Sequence, residues 1–350
     1  MHSHILAFKG FTMQNNYFKS CLVFLFALSI LFLSGCGSKY YFKPEKGSVE
    51  GEVFYNGNLP SSIKSVVRNG ATLKNGQFIT KYGEISNIRL KREARYLNAS
   101  ENYYIIHRGN ILTLINKSDN KETHIKLDDV PVSANIDDNL IAIVFETNTV
   151  AIYDTKRMEV VYRQENVSAP ANNTLIASPY FLNDIIVFPT LDGKLVVVER
   201  NTMRLVRNIV VNGDKYFNNV IFLESIENRM VAATPKRIIS VSPNVINTFD
   251  VNLKDILFLE DRIFIFSNEG EVILTDKDLN EIRRIKFPFA HFSAASYGHS
   301  IAILETQGYM IFVDNLLQNS TIKKLPSAIS KPTFSTLNRI YVDDKFFNIP

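Results

Sequence analysis

Between Asp184 and Val211 the chain alternates short apolar runs with turn-forming clusters: Asp184–Phe188, Lys194–Glu199 and Arg204–Val211, separated by Pro189–Gly193 and Arg200–Met203. Short runs rich in β-branched residues and broken by such clusters predict three antiparallel strands in a meander. The middle run, Leu195-Val196-Val197-Val198, is apolar at consecutive rather than alternate positions. Both of its faces therefore need cover, and the small sheet must lie between neighbours. Variants of the unit end on a polar residue at Asn116, Asp154, Glu199, Ser242, Asp276 and Asp314, at intervals of 34 to 45 residues. A period of about 40 residues with three or four short strands per repeat predicts the blades of a β-propeller.

Six clear blades are expected at 95–127, 132–164, 174–211, 217–251, 255–287 and 292–325. A weaker unit, Ile63–Leu90, is built around Asn69-Gly70 and Asn75-Gly76, and the tail supplies strands at Thr333–Ser335, Arg339–Val342 and Lys345–Ile349. Three tail strands fall short of a four-stranded blade. Val49–Tyr55, which turns at Asn56-Gly57, is therefore expected to complete the last sheet and close the ring, removing exposed sheet edges. The expected fold is all-β, a propeller of seven or eight four-stranded blades, with eight preferred.

At the N-terminus, Lys19 precedes the apolar run Cys21–Leu33, which has the length of a secretory signal core and is short for a membrane span. It ends in Leu33-Ser34-Gly35-Cys36, which resembles the bacterial lipobox. By that resemblance Leu33, Ser34 and Gly35 are read by the signal peptidase and the Cys36 thiol takes the lipid; the alternative is an uncleaved anchor. Met13 is an alternative start. The expected division is a lipoprotein signal peptide over 1–35, a lipidated cysteine and tether over 36–47, and the propeller over 48–350. Gly37 stands where an aspartate would resemble the inner-membrane retention signal, so a bacterial envelope protein held at the outer membrane and facing the periplasm is expected. Once Cys21 leaves with the signal and Cys36 carries lipid, no thiol remains for a disulfide.

The 350 residues carry a formal charge of +4, with 25 Phe, 15 Tyr and no Trp. Lys and Arg are interspersed with Asp and Glu, which does not make a nucleic-acid surface. The chain holds no Gly-x-Ser-x-Gly, no Gly-x-Gly-x-x-Gly and no Walker loop. His107, His124, His291 and His299 are dispersed and match no zinc spacing. The pairs Asp128-Asp129, Asp137-Asp138 and Asp343-Asp344 fall at predicted turns, where Asp bonds the local backbone. The clusters Lys91–Arg95 and Arg283-Arg284 read as solvated strand ends. Phe287–Phe292 either covers a blade interface or forms an exposed docking patch. No catalytic, cofactor or metal residue is expected.

The turn Thr190–Lys194, followed by Leu195–Glu199 and then Arg204-Leu205, resembles the repeat of pyrroloquinoline-quinone-type propellers, and Asn268–Val272 and Thr306–Met310 repeat the turn. With a lipobox in front, the arrangement resembles the BamB family of propeller lipoproteins. The resemblance implies a non-catalytic, membrane-anchored protein-binding scaffold whose partners are envelope proteins, the β-barrel assembly machine among them. The tryptophan that docks successive blades in that class is absent, with Val206 near its place. The tryptophan floor and vicinal disulfide of its quinone-dependent enzymes are absent too, so no quinone cofactor is expected. No partner-binding motif is carried over. The alternative is a small-ligand-binding or enzymatic propeller, which needs polar side chains from several blades to converge in the central channel.

Overall fold

Strands of two to seven residues pack as small sheets around an axis in the computed structural model, which describes residues 40–170, 173–214 and 218–350. Leu33, Ser34, Gly35 and Cys36, with the rest of the expected signal peptide, lie outside the described residues. Blades 2 to 7 take residues 95–126, 131–164, 180–210, 222–250, 253–286 and 292–324, each an antiparallel meander of four strands where the repeat predicts it. Blade 1 (63–80) has three strands, and blade 8 combines 333–348 with Gly57–Asn58. The fold is thus an eight-bladed β-propeller, and none of the described residues is helical.

The consecutive apolar positions have a simple cause. In a strand, neighbouring side chains point to opposite faces, so a sheet stacked on both sides needs apolar residues at every position. In blade 3, Ile141 and Ile143 pack toward blade 2, while Leu140, Ala142 and Val144 pack toward blade 4. In blade 4, Ile186 and Val198 meet blade 3 while Val187 and Val197 meet blade 5. Each pair of successive blades encloses one such cluster, including blades 7 and 8 and blades 8 and 1, so the core is a closed ring of interfaces.

Closure uses the N-terminal segment, but with a different strand from the one expected. Val49–Glu52 does not join the last sheet; it lies parallel to Ser320–Lys324 as a fifth strand of blade 7, pairing Val49 with Ile322 and Glu52 with Lys324. Its sequence, Val-Glu-Gly-Glu, is exposed throughout, as suits an outermost strand. Gly57–Asn58 then pairs with Phe346 and Lys345 to complete blade 8. Between them Tyr55 stacks on Phe347 at 4.4 Å, which fixes the crossing from one blade to the next. A Cβ at Gly57 would sit 2.6 Å from the Phe346 ring, so any larger residue there has to displace that ring.

The packed unit begins at Phe42, inside the expected tether. Phe42 is 6% exposed and meets Phe287 and Tyr309 edge-on, at centroid distances of 6.3 and 5.6 Å. Phe287 and Phe292 are buried between blades 6 and 7, so this aromatic run covers an interface, with Phe289 the one phenylalanine of the three turned outward. The outermost strands of blades 3, 4 and 6 each carry one extra residue opposite the neighbouring strand: Val161, Val206 and Ile282. Val206, near the place of the missing tryptophan, is 54% exposed and docks nothing across a blade interface.

Candidate functional site

The first strands of successive blades lie against one another around the axis, and the last strands are outermost. First strands also differ in composition. Second and third strands are mostly apolar, with His107, Thr113, Ser240 and Thr275 as exceptions, whereas the first strands of blades 2, 3, 5, 6 and 7 carry polar residues within them: Asn98, Ser133, Asn135, Glu224, Asp255 and Ser296. Register shifts at Tyr96/Asn98, Pro131/Ser133 and Leu253/Asp255 re-aim the chain at these positions, as bulges do.

Most of these groups tie one blade to the next. Asn98 Nδ2 donates to the Ala134 carbonyl at 3.1 Å, Ser133 Oγ to Ala177 at 2.8 Å, Asn135 Nδ2 to Pro179 at 3.0 Å and Ser296 Oγ to Thr336 at 2.7 Å. Further out, the fully buried Asn148 accepts from the Leu191 N–H at 2.7 Å and donates to the Asp192 carboxylate at 2.9 Å. In a chain without tryptophan, these bonds set the register between blades. The Asp192-Gly193 turn they reach has Gly193 at φ +82°, where a Cβ would lie 2.3 Å from Asn218 Nδ2. That crowding explains the Asp-Gly signature of the turn.

Four charged groups remain at the axis. Arg68, at the end of the first strand of blade 1, reaches Asp255 of blade 6 at 2.8 Å and lies 5.6 Å over the Phe222 ring. Its Nε is buried without a hydrogen-bond partner. Glu224 of blade 5 is half-buried near Lys81 and Arg68; desolvation holds its carboxyl above the usual carboxylate range, and the two positive charges offset this only in part. The space between Arg68, Lys81 and Glu224, bounded also by Asn69, Asn98, Asn135 and Tyr180, is about 50 Å³. That admits a few water molecules at most. Polar and charged side chains from several blades converge there, as the ligand-binding alternative requires, and the space between them is too small for an organic ligand.

The other singled-out residues fall into structural roles. Asp137 and Asp138 pair with Arg200 at 2.5 and 3.3 Å, and Asp128 pairs with Arg163 at 3.7 Å. Asp129 accepts from the N–H of Val130, and Asp343 occupies a turn at φ +53°. Arg284 bridges Glu271 and Glu281. His291 and His299 flank the strand Phe292–Tyr297, and no group of three metal-ligating side chains occurs among the described residues. Arg68, Lys81, Glu224 and Asp255 were not singled out from the sequence. For Glu224 and Asp255 the available signal was a charged residue inside a first strand, whereas Arg68 and Lys81 lie just past strand ends and carried none.

No family model matches the chain. Among solved structures, BamB from Moraxella catarrhalis superposes with a TM-score of 0.60 at 12% identity, covering 83% of this chain and 97% of that one. The C-terminal WD40 domain of Sif2 gives 0.61 at 15% identity, covering 87% and 100%. The computationally designed Ika8 protein gives 0.59 at 10% identity, covering 86% and 100%. At these identities the likeness is one of fold. In sequence, the chain is 30% identical over 383 residues to the plasminogen-binding protein PgbB of Helicobacter pylori strain J99, covering 93% of this chain and 70% of that protein. The protein of the same name from strain 26695 is 29% identical with the same coverage. A propeller that retains this identity along nearly its whole length belongs to the family of the plasminogen-binding protein PgbB.

Proposed function

We propose that this chain is a non-catalytic protein-binding propeller, held to the bacterial outer membrane by a lipid on Cys36, and that plasminogen is its partner. The observation that carries the reading is the 30% identity over 93% of the chain to a protein named for plasminogen binding. The space of only about 50 Å³ between the axial groups Arg68, Lys81 and Glu224 supports binding on the outer surfaces rather than catalysis there. The lipobox Leu33-Ser34-Gly35-Cys36 supports the anchor.

The test is surface plasmon resonance with the chain from Gly37 onward and plasminogen in solution. A Kd of micromolar or tighter, about −8 kcal/mol, is expected. No saturable binding at roughly ten times that concentration overturns the proposal. Plasminogen binding requires the propeller on the outer face of the cell. The BamB-like fold favours a second reading, a periplasmic scaffold for the β-barrel assembly machine. Protease digestion of intact cells separates the two, because only a surface-exposed propeller is cut. Palmitate-analogue labelling tests the anchor: Cys36→Ser is expected to abolish incorporation, and incorporation equal to wild type would refute it.

A further inference from the structure

Blade 1 stops where the seven other blades continue. After its third strand, Phe78–Thr80, the chain returns for one bridge only, Ile79 to Ile85. The Thr80 N–H donates to Glu84 at 2.9 Å and the Ser86 N–H to Phe78 at 2.8 Å. The buried Ser86 hydroxyl then accepts from the Phe78 N–H at 3.0 Å and donates to Ile88 at 2.9 Å, so a side chain finishes the ladder. Residues 88–94 leave the sheet as a strap. The strap is pinned at the Asn75-Gly76 turn, where the Leu90 N–H donates to the Gly76 carbonyl at 2.8 Å. Gly76 sits at φ +89°, and a Cβ there would meet the Leu90 carbonyl at 3.0 Å.

With a strand missing, the outer half of blade 2 is covered on this side by the strap, whose Ile88 and Leu90 pack against the buried Ile106 and Ile115. Ile106, Thr113 and His124 are register neighbours across its last three strands, with Ile111 and Ile115 beside them. Between this face and the strap lies a cleft of about 300 Å³, within the size range of small-molecule sites, which are apolar with a few convergent polar groups. Its floor is Ile88, Leu90, Ile106, Ile111 and Ile115, and its rim carries Arg89, Lys91 and Arg108.

The charge balance of the cleft is one-sided. Glu122 is its single acid, and it is engaged by His124 at 3.3 Å and by Lys91 at 3.7 Å. Arg89 and Arg108 are exposed and take part in no ion pair among the described residues. His107 adds no charge: burial keeps its ring below the usual imidazole range, with Nδ1 at 3.0 Å from the Gly109 carbonyl.

We propose that this cleft binds a small amphipathic carboxylate, its apolar body on Ile106, Ile111 and Ile115 and its carboxylate at the Arg89–Arg108 rim. A guanidinium matches a carboxylate with two parallel hydrogen bonds, and no acid in the cleft competes for either arginine. An added peptide strand is not the occupant, because Ile85 already holds the edge of Phe78–Thr80.

The experiment is saturation-transfer NMR titration with 3-phenylpropionate and its neutral amide, on wild type, the double variant Arg89→Ala/Arg108→Ala, and Ile111→Trp. The carboxylate is expected to bind wild type at least ~tenfold more tightly than the amide. The double variant should bring the carboxylate down to the affinity of the amide. Ile111→Trp, which fills the cleft, should abolish binding of both. Circular dichroism melting checks that each variant is folded, and exposed, unpaired arginines can be removed without cost to the fold. Equal binding of acid and amide, binding unmoved by the double variant, or no binding at millimolar concentration overturns the proposal.

Discussion

Replacing Phe42 with Ala should release the entry segment of the propeller without unfolding it. The ring is 6% exposed and is the one side chain of residues 42–48 in the blade 6–7 cluster. Burial of a Phe side chain contributes about 1.5–3 kcal/mol, and each edge-on aromatic contact adds about 0.5–1.5 kcal/mol. Taking the low end of each for the ring and its two partners gives about 2.5 kcal/mol of local docking. Loss of that amount raises the open population roughly sixtyfold. Lys46 reports the opening. It is exposed, but tryptic cleavage needs the flanking residues extended, which docked Phe42 and the Ser48-to-Glu45 turn prevent. With fast reclosing, the cleavage rate follows the open population. Mass spectrometry of a limited tryptic digest should therefore show cleavage after Lys46 faster by tens of fold in Phe42→Ala, with the melting temperature nearly unchanged. Phe54→Ala, at a residue 63% exposed, is the control and should cut at the wild-type rate. A Phe42→Ala rate within about threefold of wild type would refute the docking argument.

Asn148→Ala should lower unfolding free energy by about 3 kcal/mol in urea titrations, because it strips partners from the buried Leu191 N–H and the Asp192 carboxylate; it also places Ala at φ +66°, and a loss under about 1 kcal/mol would contradict this. Gly57→Ala should cost about 1–3 kcal/mol by driving a methyl into the Phe346 ring and weakening closure, read as a lower urea midpoint at unchanged slope. Glu224→Gln should raise the melting temperature near neutral pH. The folded-state pKa of Glu224 is raised above 4.5, so its stabilising contribution is present below 4.5 and is lost as pH rises through the folded value. The gain from Gln should shrink to nothing as pH falls toward 4.5, and a gain independent of pH would show that Glu224 is not the titrating group.

What made blades 2 to 7 legible is the demand that stacked sheets place on every residue of a strand. Ile141, Ala142, Ile143 and Val144 must all be apolar, and such a run has few other readings. Blade 1 was faint because Ser86 does with a hydroxyl what a fourth strand does elsewhere, and a lone serine leaves no periodic trace. The closing strand was misplaced because Val49–Tyr55 has a longer β-prone run than Gly57–Asn58. Two residues suffice there, since Tyr55 on Phe347 supplies the packing. The axial charges were invisible for a different reason. Arg68 and Asp255 are 187 positions apart, and only the ring brings them to 2.8 Å. The cleft between blades 1 and 2 is likewise a product of a strand that is not there, although Lys91, His107 and His124 were each noticed separately.

The path of the entry segment also determines how the ring would carry a mechanical load. The chain docks Phe42 between blades 6 and 7, runs Val49–Glu52 along the outer edge of blade 7, and only then supplies the two residues that complete blade 8. Tension applied upstream of Phe42 falls first on that ring. It then falls on strands held in parallel, including the Val53 to Lys324 bond at 2.9 Å, which resist as a set in shear rather than opening one at a time. The short pairing at Gly57–Asn58, which would unzip under modest force, lies behind both and is shielded from the pull. A propeller drawn on from its N-terminus should therefore yield in two steps, the entry segment shearing off blade 7 while the ring stays shut, and the ring opening afterwards at higher extension.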